Sequence, residues 1–219
     1  MTAFDIDRFV FLIGSEYEKW KAPIVSHLAK RADATPFQVL VSTLLSLRTK
    51  DEVTAAAASR LFESAKTPEA IVSLSKEAIE ALIYPVGFYH TKAERLKTVS
   101  RILIDQYDGD VPNTMNALIA LPGVGRKTAN LVLVEGFGKP GICVDTHVHR
   151  ISNRVGYVDT TAPDETEMQL RKQLPVKYWR RYNEMLVAFG QMVCRPVSPF
   201  CSRCPVAVMC PQIAVGRHR

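Results

Sequence analysis

A short glycine-rich turn between two helical segments constrains the fold of this chain more than any other feature. The turn, residues 122–125, reads Pro-Gly-Val-Gly, and residues 113–120 and 126–136 on either side have helical character. Glycines at Gly123 and Gly125 permit positive φ angles and a close approach of the backbone. The amides that follow open onto a helix N-terminus, where the helix dipole favours an anion. The pattern therefore predicts two helices joined by a phosphate-binding turn.

Charged side chains stand at this helix start and at a second one further along. Arg126 and Lys127 fall in the first turn after the glycines, and Asp145 precedes Thr-His in a position typical of a helix N-cap. An amine and a carboxylate at two helix starts are suited to share one cleft. Taken alone, Lys127 is equally compatible with a solvated lysine or a second phosphate contact beside Arg126, and Asp145 with a simple cap.

These residues carry a resemblance to a known family. Residues 121–129 and 144–147 resemble the helix-hairpin-helix and aspartate signatures of the endonuclease III family of DNA glycosylases. The resemblance implies a base excision repair enzyme, both glycosylase and abasic-site lyase, that removes oxidised or ring-saturated pyrimidines. It implies Lys127 as the nucleophile that forms a Schiff base before β-elimination, and Asp145 as its catalytic partner. The implied DNA contacts near these motifs are Gly123, Val124, Gly125, Arg126 and, on the DNA backbone, His147.

Four of the five cysteines form a second motif near the end of the chain, with the spacing Cys-x6-Cys-x2-Cys-x5-Cys. Such clustering in a chain without a secretory signal indicates metal ligands rather than disulfides. The chemistry leaves the metal open, because four thiolates bind structural zinc as well as iron–sulfur clusters. The spacing resembles the [4Fe–4S] loop of the endonuclease III family, which implies that cluster in a structural role. The expected ligands are Cys194, Cys201, Cys204 and Cys210, while Cys143 is expected to be a buried thiol.

Helix signals dominate the chain and strand signals are nearly absent, which predicts an all-α protein. Thr35 opens a capping box with proline at the first helical position. The same pattern predicts helix starts at Thr49 and at Thr91, the second of which would open a long helix ending at Gln106. Apolar spacing predicts a further helix over residues 23–30.

The resemblance also implies a two-domain arrangement. Residues 29–139 would form a six-helix domain that contains the hairpin. Residues 1–28 would join residues 140–219 in an iron–sulfur cluster domain. A monomer would then bind damaged duplex DNA in the cleft between the two domains.

Composition is consistent with a polyanionic partner. Lysine and arginine number 28 against 22 aspartate and glutamate residues, a formal net charge of +6. No apolar run approaches the roughly 18 residues needed to span a membrane. The first 21 residues lack the pattern of a secretory signal. The expected location is therefore the cytoplasm, in association with the nucleoid.

A glycosylase must extrude its target base and fill the gap that is left. The family does this with two loops that match residues 47–48 and 87–89. This chain departs from the family pattern in both, since Arg48 replaces the usual glutamine and Phe88 replaces the usual leucine. Arginine can pair with the orphaned base, preferentially guanine, and phenylalanine can stack into the gap. The resemblance therefore does not imply the family's opposite-base preference or its range of lesions for this chain.

Two other functions are weighed against this one. A mismatch-specific adenine glycosylase of the same superfamily carries a glutamate before the first loop, but residues 36–48 contain no carboxylate. The thymine-mismatch type has tyrosine in place of Lys127. A non-catalytic or redox-sensing iron–sulfur DNA-binding protein would keep the turn and the cysteines, but would not need Lys127 together with Asp145.

Overall fold

A computed structural model describes residues 4–17, 19–20 and 34–219 of the chain, and this part forms helices and no strand. The predicted all-α class is confirmed. The described residues fall into two compact units, the hairpin unit (34–139) and the cysteine unit (4–17 and 19–20 with 140–219). The helix predicted over residues 23–30 and the domain boundary predicted after residue 28 lie outside the described residues. No described helix is long and apolar enough to cross a membrane.

The helices are numbered α1 to α11 in chain order. Those of the cysteine unit are α1 (Ile6–Tyr17), α9 (Thr146–Arg154), α10 (Pro163–Gln173) and α11 (Trp179–Met192). Those of the hairpin unit are α2 (Pro36–Ser46), α3 (Asp51–Ser64), α4 (Pro68–Ser73), α5 (Lys76–Ile83), α6 (Tyr89–Tyr107), α7 (Met115–Ile119) and α8 (Arg126–Leu131). A π-helical segment, Val132–Gly136, continues α8, and short 3-10 turns lie at Val176–Tyr178, Cys201–Arg203 and Ala207–Met209.

Helix α2 begins where its capping box predicts. Thr35 Oγ1 accepts from the Gln38 amide at 3.3 Å, and Gln38 Oε1 accepts from the Thr35 amide at 2.9 Å. The rest of the helix is apolar on nearly all sides, with Leu40 and Leu45 fully buried. Burial on all faces is typical of a core helix, so α2 forms the centre of the hairpin unit.

The caps predicted at Thr49 and Thr91 are wrong. Helix α3 begins after Lys50, which makes no side-chain cap, and α6 begins two residues before Thr91, after Phe88. The Thr49 hydroxyl is engaged elsewhere, because it accepts hydrogen bonds from the Gly87 amide and from a lysine on α6. A contact distant in sequence therefore replaces the local cap that the sequence pattern favours.

The cysteine unit has its own core. Helix α11 packs against α1 and α9, and it contributes the fully buried Tyr182 and Phe189. Phe9 and Ile13 of α1 are also fully buried. Cys143 is 3% exposed, which confirms the expected buried thiol outside the cysteine motif. The connection from this core into α9 positions Asp145 at the start of that helix.

Candidate active site

The glycine-rich turn joins α7 to α8 as the sequence predicts. Thr114 caps α7, and the Val124 amide donates to Leu121 O at 3.1 Å to close the turn. Val124 is only 6% exposed and anchors the turn in the core of the hairpin unit. Gly125 is the N-cap of α8 and has no side chain to cap the amides of the first turn. The arrangement is that of a helix-hairpin-helix whose second helix can receive an anion.

The two glycines of the turn serve different purposes. Gly123 has φ +78°, in the left-handed region that favours glycine, and a Cβ atom there would also displace the Arg95 side chain, whose Cδ would lie 2.4 Å away. Gly125 has φ −94°, and a Cβ atom there would meet nothing within 4 Å. The fold of the hairpin unit does not explain the second glycine. Open space beside a backbone amide is what a bound phosphate needs.

Lys127 lies in the first turn of α8 and is exposed, and its neighbour Arg126 is half-buried. The next residues, Thr128 and Ala129, are buried and fix the helix against the core. The π-helical segment that follows packs closely on α2, since a Cβ at Gly136 would lie 3.2 Å from a backbone carbon of the α2 proline. Such π-helical turns occur frequently at functional sites.

Asp145 is the N-cap of α9, as predicted. Its Oδ1 accepts hydrogen bonds from the amides of His147 at 2.8 Å and Val148 at 2.9 Å. The carboxylate is therefore fixed in orientation by the helix it starts. Lys127 belongs to the hairpin unit and Asp145 to the cysteine unit, so their pairing stays a prediction.

His147 packs beside a glycine that the sequence analysis does not identify. A Cβ atom at Gly190 on α11 would lie 2.3 Å from His147 Nδ1. Arg150 Nη2 lies 3.1 Å from the same Nδ1, and since a guanidinium only donates, a hydrogen bond here requires a neutral ring with its proton on Nε2. A glycine in mid-helix is the signal that reveals this packing.

The two loops expected to enter DNA lie side by side in the hairpin unit. Arg48 and Phe88 are both exposed, and the Arg48 guanidinium carbon lies 5.7 Å from the centre of the Phe88 ring. Both have left-handed backbones, with φ 53° and 59°. Residues other than glycine rarely adopt this backbone region unless the surrounding structure holds them there. A Cβ atom at Gly87 would lie 2.6 Å from Arg48 O, so the loops are in contact.

A buried lysine on α6 is not among the site residues that the sequence predicts. Lys92 is 4% exposed, and its Nζ donates to Leu45 O at 2.7 Å, Leu47 O at 2.6 Å and Thr49 Oγ1 at 3.0 Å. Burial and the charge of Arg95 lower the pKa of Lys92 to about 8. Three acceptors match the three donors of an ammonium, so this side chain links the end of α2 to α6.

The sequence contains a signal for this lysine. Lys92 precedes Leu96, Val99 and Leu103 by 4, 7 and 11 residues, and all three are buried. A lysine in the apolar stripe of a helix must find partners in the core.

The four cysteines of the C-terminal motif line one apolar cavity in the cysteine unit, together with residues that include Phe189 and Val206. The buried Arg154 borders the same cavity and donates to Arg195 O at 2.7 Å and to Pro196 O at 2.8 Å. Its guanidinium also lies 3.6 Å from Cys194 Sγ. These contacts fix the loop that carries the first cysteine.

Burial raises the pKa of the Cys204 thiol to about 11, and it raises the pKa values of Cys201 and Cys210 as well. A bound metal reverses this preference, because coordination favours the thiolate. Among the residues that the structure describes, no group of three or more His, Cys, Asp or Glu side chains is arranged to hold a single metal ion. The four thiols agree in number and type with the four-thiolate ligand set of an iron–sulfur cluster.

The hairpin and its neighbouring helices match a family model. Residues 41–176 match the model described as HhH-GPD superfamily base excision DNA repair protein. The fold and the hairpin thus define a base excision repair protein of the helix-hairpin-helix class.

Individual relatives narrow this class. The chain is 49% identical over 172 residues to endonuclease III of Thermotoga maritima, covering 78% of this chain and 81% of that protein. It also matches the structure of a non-covalent endonuclease III–DNA complex with a TM-score of 0.84 and 32% identity, covering 94% of each chain. The structure of a trapped endonuclease III–DNA covalent intermediate matches with a TM-score of 0.84 and 32% identity over 97% of each chain.

The chain belongs to the endonuclease III family. Its activity is that of a DNA glycosylase and abasic-site lyase of base excision repair, which confirms the enzyme class expected from the two sequence signatures.

Proposed function

We propose that the chain removes oxidised or ring-saturated pyrimidines from duplex DNA, with Lys127 as the nucleophile. The neutral amine attacks C1′ of the damaged nucleotide, the glycosidic bond breaks, and the base leaves with a proton. The sugar ring then opens to a Schiff base, and loss of a C2′ proton expels the 3′ phosphate by β-elimination. The observation that carries this assignment is the exposed position of Lys127, two residues after the uncapped helix start at Gly125.

Asp145 would act as the carboxylate partner. Both amides bonded to its Oδ1 hold the group in one orientation at the start of α9. A fixed carboxylate stabilises the positive charge that develops on the sugar as the glycosidic bond breaks. It also accepts the proton that the lysine nitrogen loses as its bond to C1′ forms. The capping bonds and the catalytic role therefore support each other.

The hairpin would bind the DNA backbone on one side of the lesion. The turn contributes Gly123, Val124, Gly125 and Arg126, with its open space located beside Gly125. Main-chain amides grip phosphate without reading sequence, which suits an enzyme that searches any sequence for rare damage. His147, a neutral ring packed on α11, would add a contact to the backbone. Since the substrate is genomic DNA, we expect the protein to work at the nucleoid.

Arg48 and Phe88 would occupy the space that the extruded nucleotide leaves. Both are exposed, at the ends of neighbouring loops. The guanidinium can donate two hydrogen bonds to an orphaned guanine, and the ring can stack between the flanking bases.

Cys194, Cys201, Cys204 and Cys210 would hold a [4Fe–4S] cluster. The support is the donor set of four thiols in one apolar cavity, with the Arg154 guanidinium beside Cys194 Sγ. The cluster would supply cross-linking between distant parts of the C-terminal loop. Iron and sulfide analysis, with a broad visible absorbance, tests the cluster against zinc. Cys204→Ser should lose the metal, while Cys143→Ala outside the motif should retain it.

Borohydride trapping tests the nucleophile. The protein is incubated with a duplex that carries thymine glycol or an abasic site, and the Schiff base is reduced to a stable adduct. Wild type should give the adduct and Lys127→Ala should give none. Lys66→Ala is the matched control, since Lys66 is another exposed lysine of the hairpin unit. An adduct that persists in Lys127→Ala would assign the chemistry to a different amine.

A further inference from the structure

The two loops that carry Arg48 and Phe88 are joined by a set of hydrogen bonds among the residues next to these two side chains. The Thr49 hydroxyl is the centre of this set. It accepts from the Gly87 amide at 3.2 Å and from Lys92 Nζ at 3.0 Å, and it lies 3.3 Å from Leu47 O, to which it donates. A hydroxyl has one donor and two acceptor positions, and all three are used here.

Lys92 extends the set into the core. Besides Thr49 it bonds Leu45 O and Leu47 O, which lie where α2 ends. An ammonium at a helix C-terminus satisfies carbonyls that have no partner within the helix and interacts favourably with the helix dipole. The first loop is thereby fixed on both sides of Arg48.

The second loop is fixed by the same two side chains. Phe88 directly precedes α6, and Lys92 lies one turn further along that helix. The Lys92 amide donates to Phe88 O at 3.0 Å, while the Gly87 amide is held by Thr49. Because a Cβ at Gly87 would lie 2.6 Å from Arg48 O, the loops pack without a side chain between them. The left-handed backbones at Arg48 and Phe88 are thus supported by one shared structure.

We propose that Lys92 and Thr49 are positioning residues that hold Arg48 and Phe88 as one rigid wedge, and thereby set the preference for the base opposite the lesion. Neither residue needs to touch DNA in this role. The preference depends on them because two hydrogen bonds from a guanidinium to a base demand a fixed geometry. The proposal rests on the proposed DNA-contacting function of Arg48 and Phe88.

Thr49 is the sharper target for mutation. Removing Lys92 would take the donor from two carbonyls at the end of α2 and is expected to destabilise the fold. Thr49→Val keeps the shape of the side chain and deletes only the hydroxyl, and Thr49→Ser restores it. Thr54→Val is the matched control, because the buried Thr54 hydroxyl donates to Lys50 O, four residues earlier in the sequence.

The test measures single-turnover base release from duplexes in which an oxidised pyrimidine faces each of the four bases. Wild type should show at least a tenfold range across the four. Thr49→Val should reduce the range to under threefold, while Thr49→Ser and Thr54→Val keep the wild-type range. Borohydride trapping on an abasic-site duplex should stay within threefold of wild type in all variants.

Two results overturn the positioning role. One is a wild-type enzyme without opposite-base preference, and the other is a Thr49→Val variant that keeps the wild-type range. A wrong assignment of the nucleophile would give a different result. Trapping would then not depend on Lys127, and the opposite-base range would stay the same.

Discussion

Two helix starts, one in each unit of the molecule, solve the same problem in opposite ways. Helix α8 begins at Gly125, which has no side chain to bond the first amides. Helix α9 begins at Asp145, whose Oδ1 accepts from two amides of its first turn. Each helix carries a positive partial charge at this end. At one start the cap residue has no side chain to offset that charge, and at the other a carboxylate of the cap residue offsets it.

The difference indicates what each helix start is suited to do. A glycine cap with open space favours a phosphate, so the start of α8 is suited to binding. An aspartate cap fixes a carboxylate in space, so the start of α9 is suited to chemistry on a developing positive charge. Changing the cap of α8 should therefore weaken DNA binding, while changing the cap of α9 should slow base release.

The largest effect is expected from neutralising the cap of α9. Asp145→Asn retains an oxygen that accepts from the His147 and Val148 amides, but it loses the charge. Base release should fall by about 10²–10³-fold, the range for loss of one preorganised electrostatic group. The free energy of unfolding should change little.

Asp145→Ala separates the two roles of this residue. It should show the same loss of activity, and in addition lose about 0.5–2 kcal/mol of stability with the cap. Single-turnover kinetics and urea denaturation measure the two quantities. An Asp145→Asn variant with wild-type activity would reduce this aspartate to a structural cap.

The next effect is expected from giving α8 the cap of α9. Gly125→Asp should raise stability by a few tenths of a kcal/mol, because aspartate caps better than glycine. It should weaken DNA binding by at least about tenfold, since two unit charges 4 Å apart repel by about 4 kcal/mol at an effective dielectric of 20. Gly125→Asn caps equally well without charge and should lose less affinity. Equal losses in the two variants would contradict an anion site.

A smaller effect separates the two glycines of the hairpin. Gly123→Ala places a Cβ at φ +78° and 2.4 Å from Arg95 Cδ, and should lower the free energy of unfolding. The expected loss is about 1–3 kcal/mol for a residue forced into this region. Gly125→Ala should cost less, about 1 kcal/mol or below, because open space surrounds the new Cβ atom and only the better capping by glycine is lost. Denaturation midpoints compare the two, and equal losses would show that Gly125 also serves the fold.

Sequence predicts those parts of the site that depend on local contacts. The caps at Thr35 and Asp145 bond amides within three residues, and the two hairpin glycines lie two residues apart in one short turn. Such patterns repeat wherever helices begin, so they are visible in the sequence. The four cysteines are equally visible because their spacing is short.

Sequence does not predict what distant residues determine. Thr49 has the pattern of a cap, yet its hydroxyl bonds an amide 38 residues away. Lys92 bonds carbonyls 45 and 47 residues earlier in the chain. The left-handed backbones at Arg48 and Phe88 follow from these contacts, because neither residue type favours positive φ by itself. Where the two loops meet, tertiary contacts override the backbone preference of the individual residues.

The smallest effect concerns the side chains next to the two helix starts. Arg126→Ala should weaken DNA binding severalfold for every sequence alike, and reduce the slope of log affinity against log salt by about 1. His147→Ala should leave the slope unchanged, because its ring is neutral beside the Arg150 guanidinium. Titration of labelled duplexes at several salt concentrations measures both slopes. A change in slope on removing His147 would place a phosphate-binding cation at the start of α9 as well, and the contrast between the two helix starts would no longer hold.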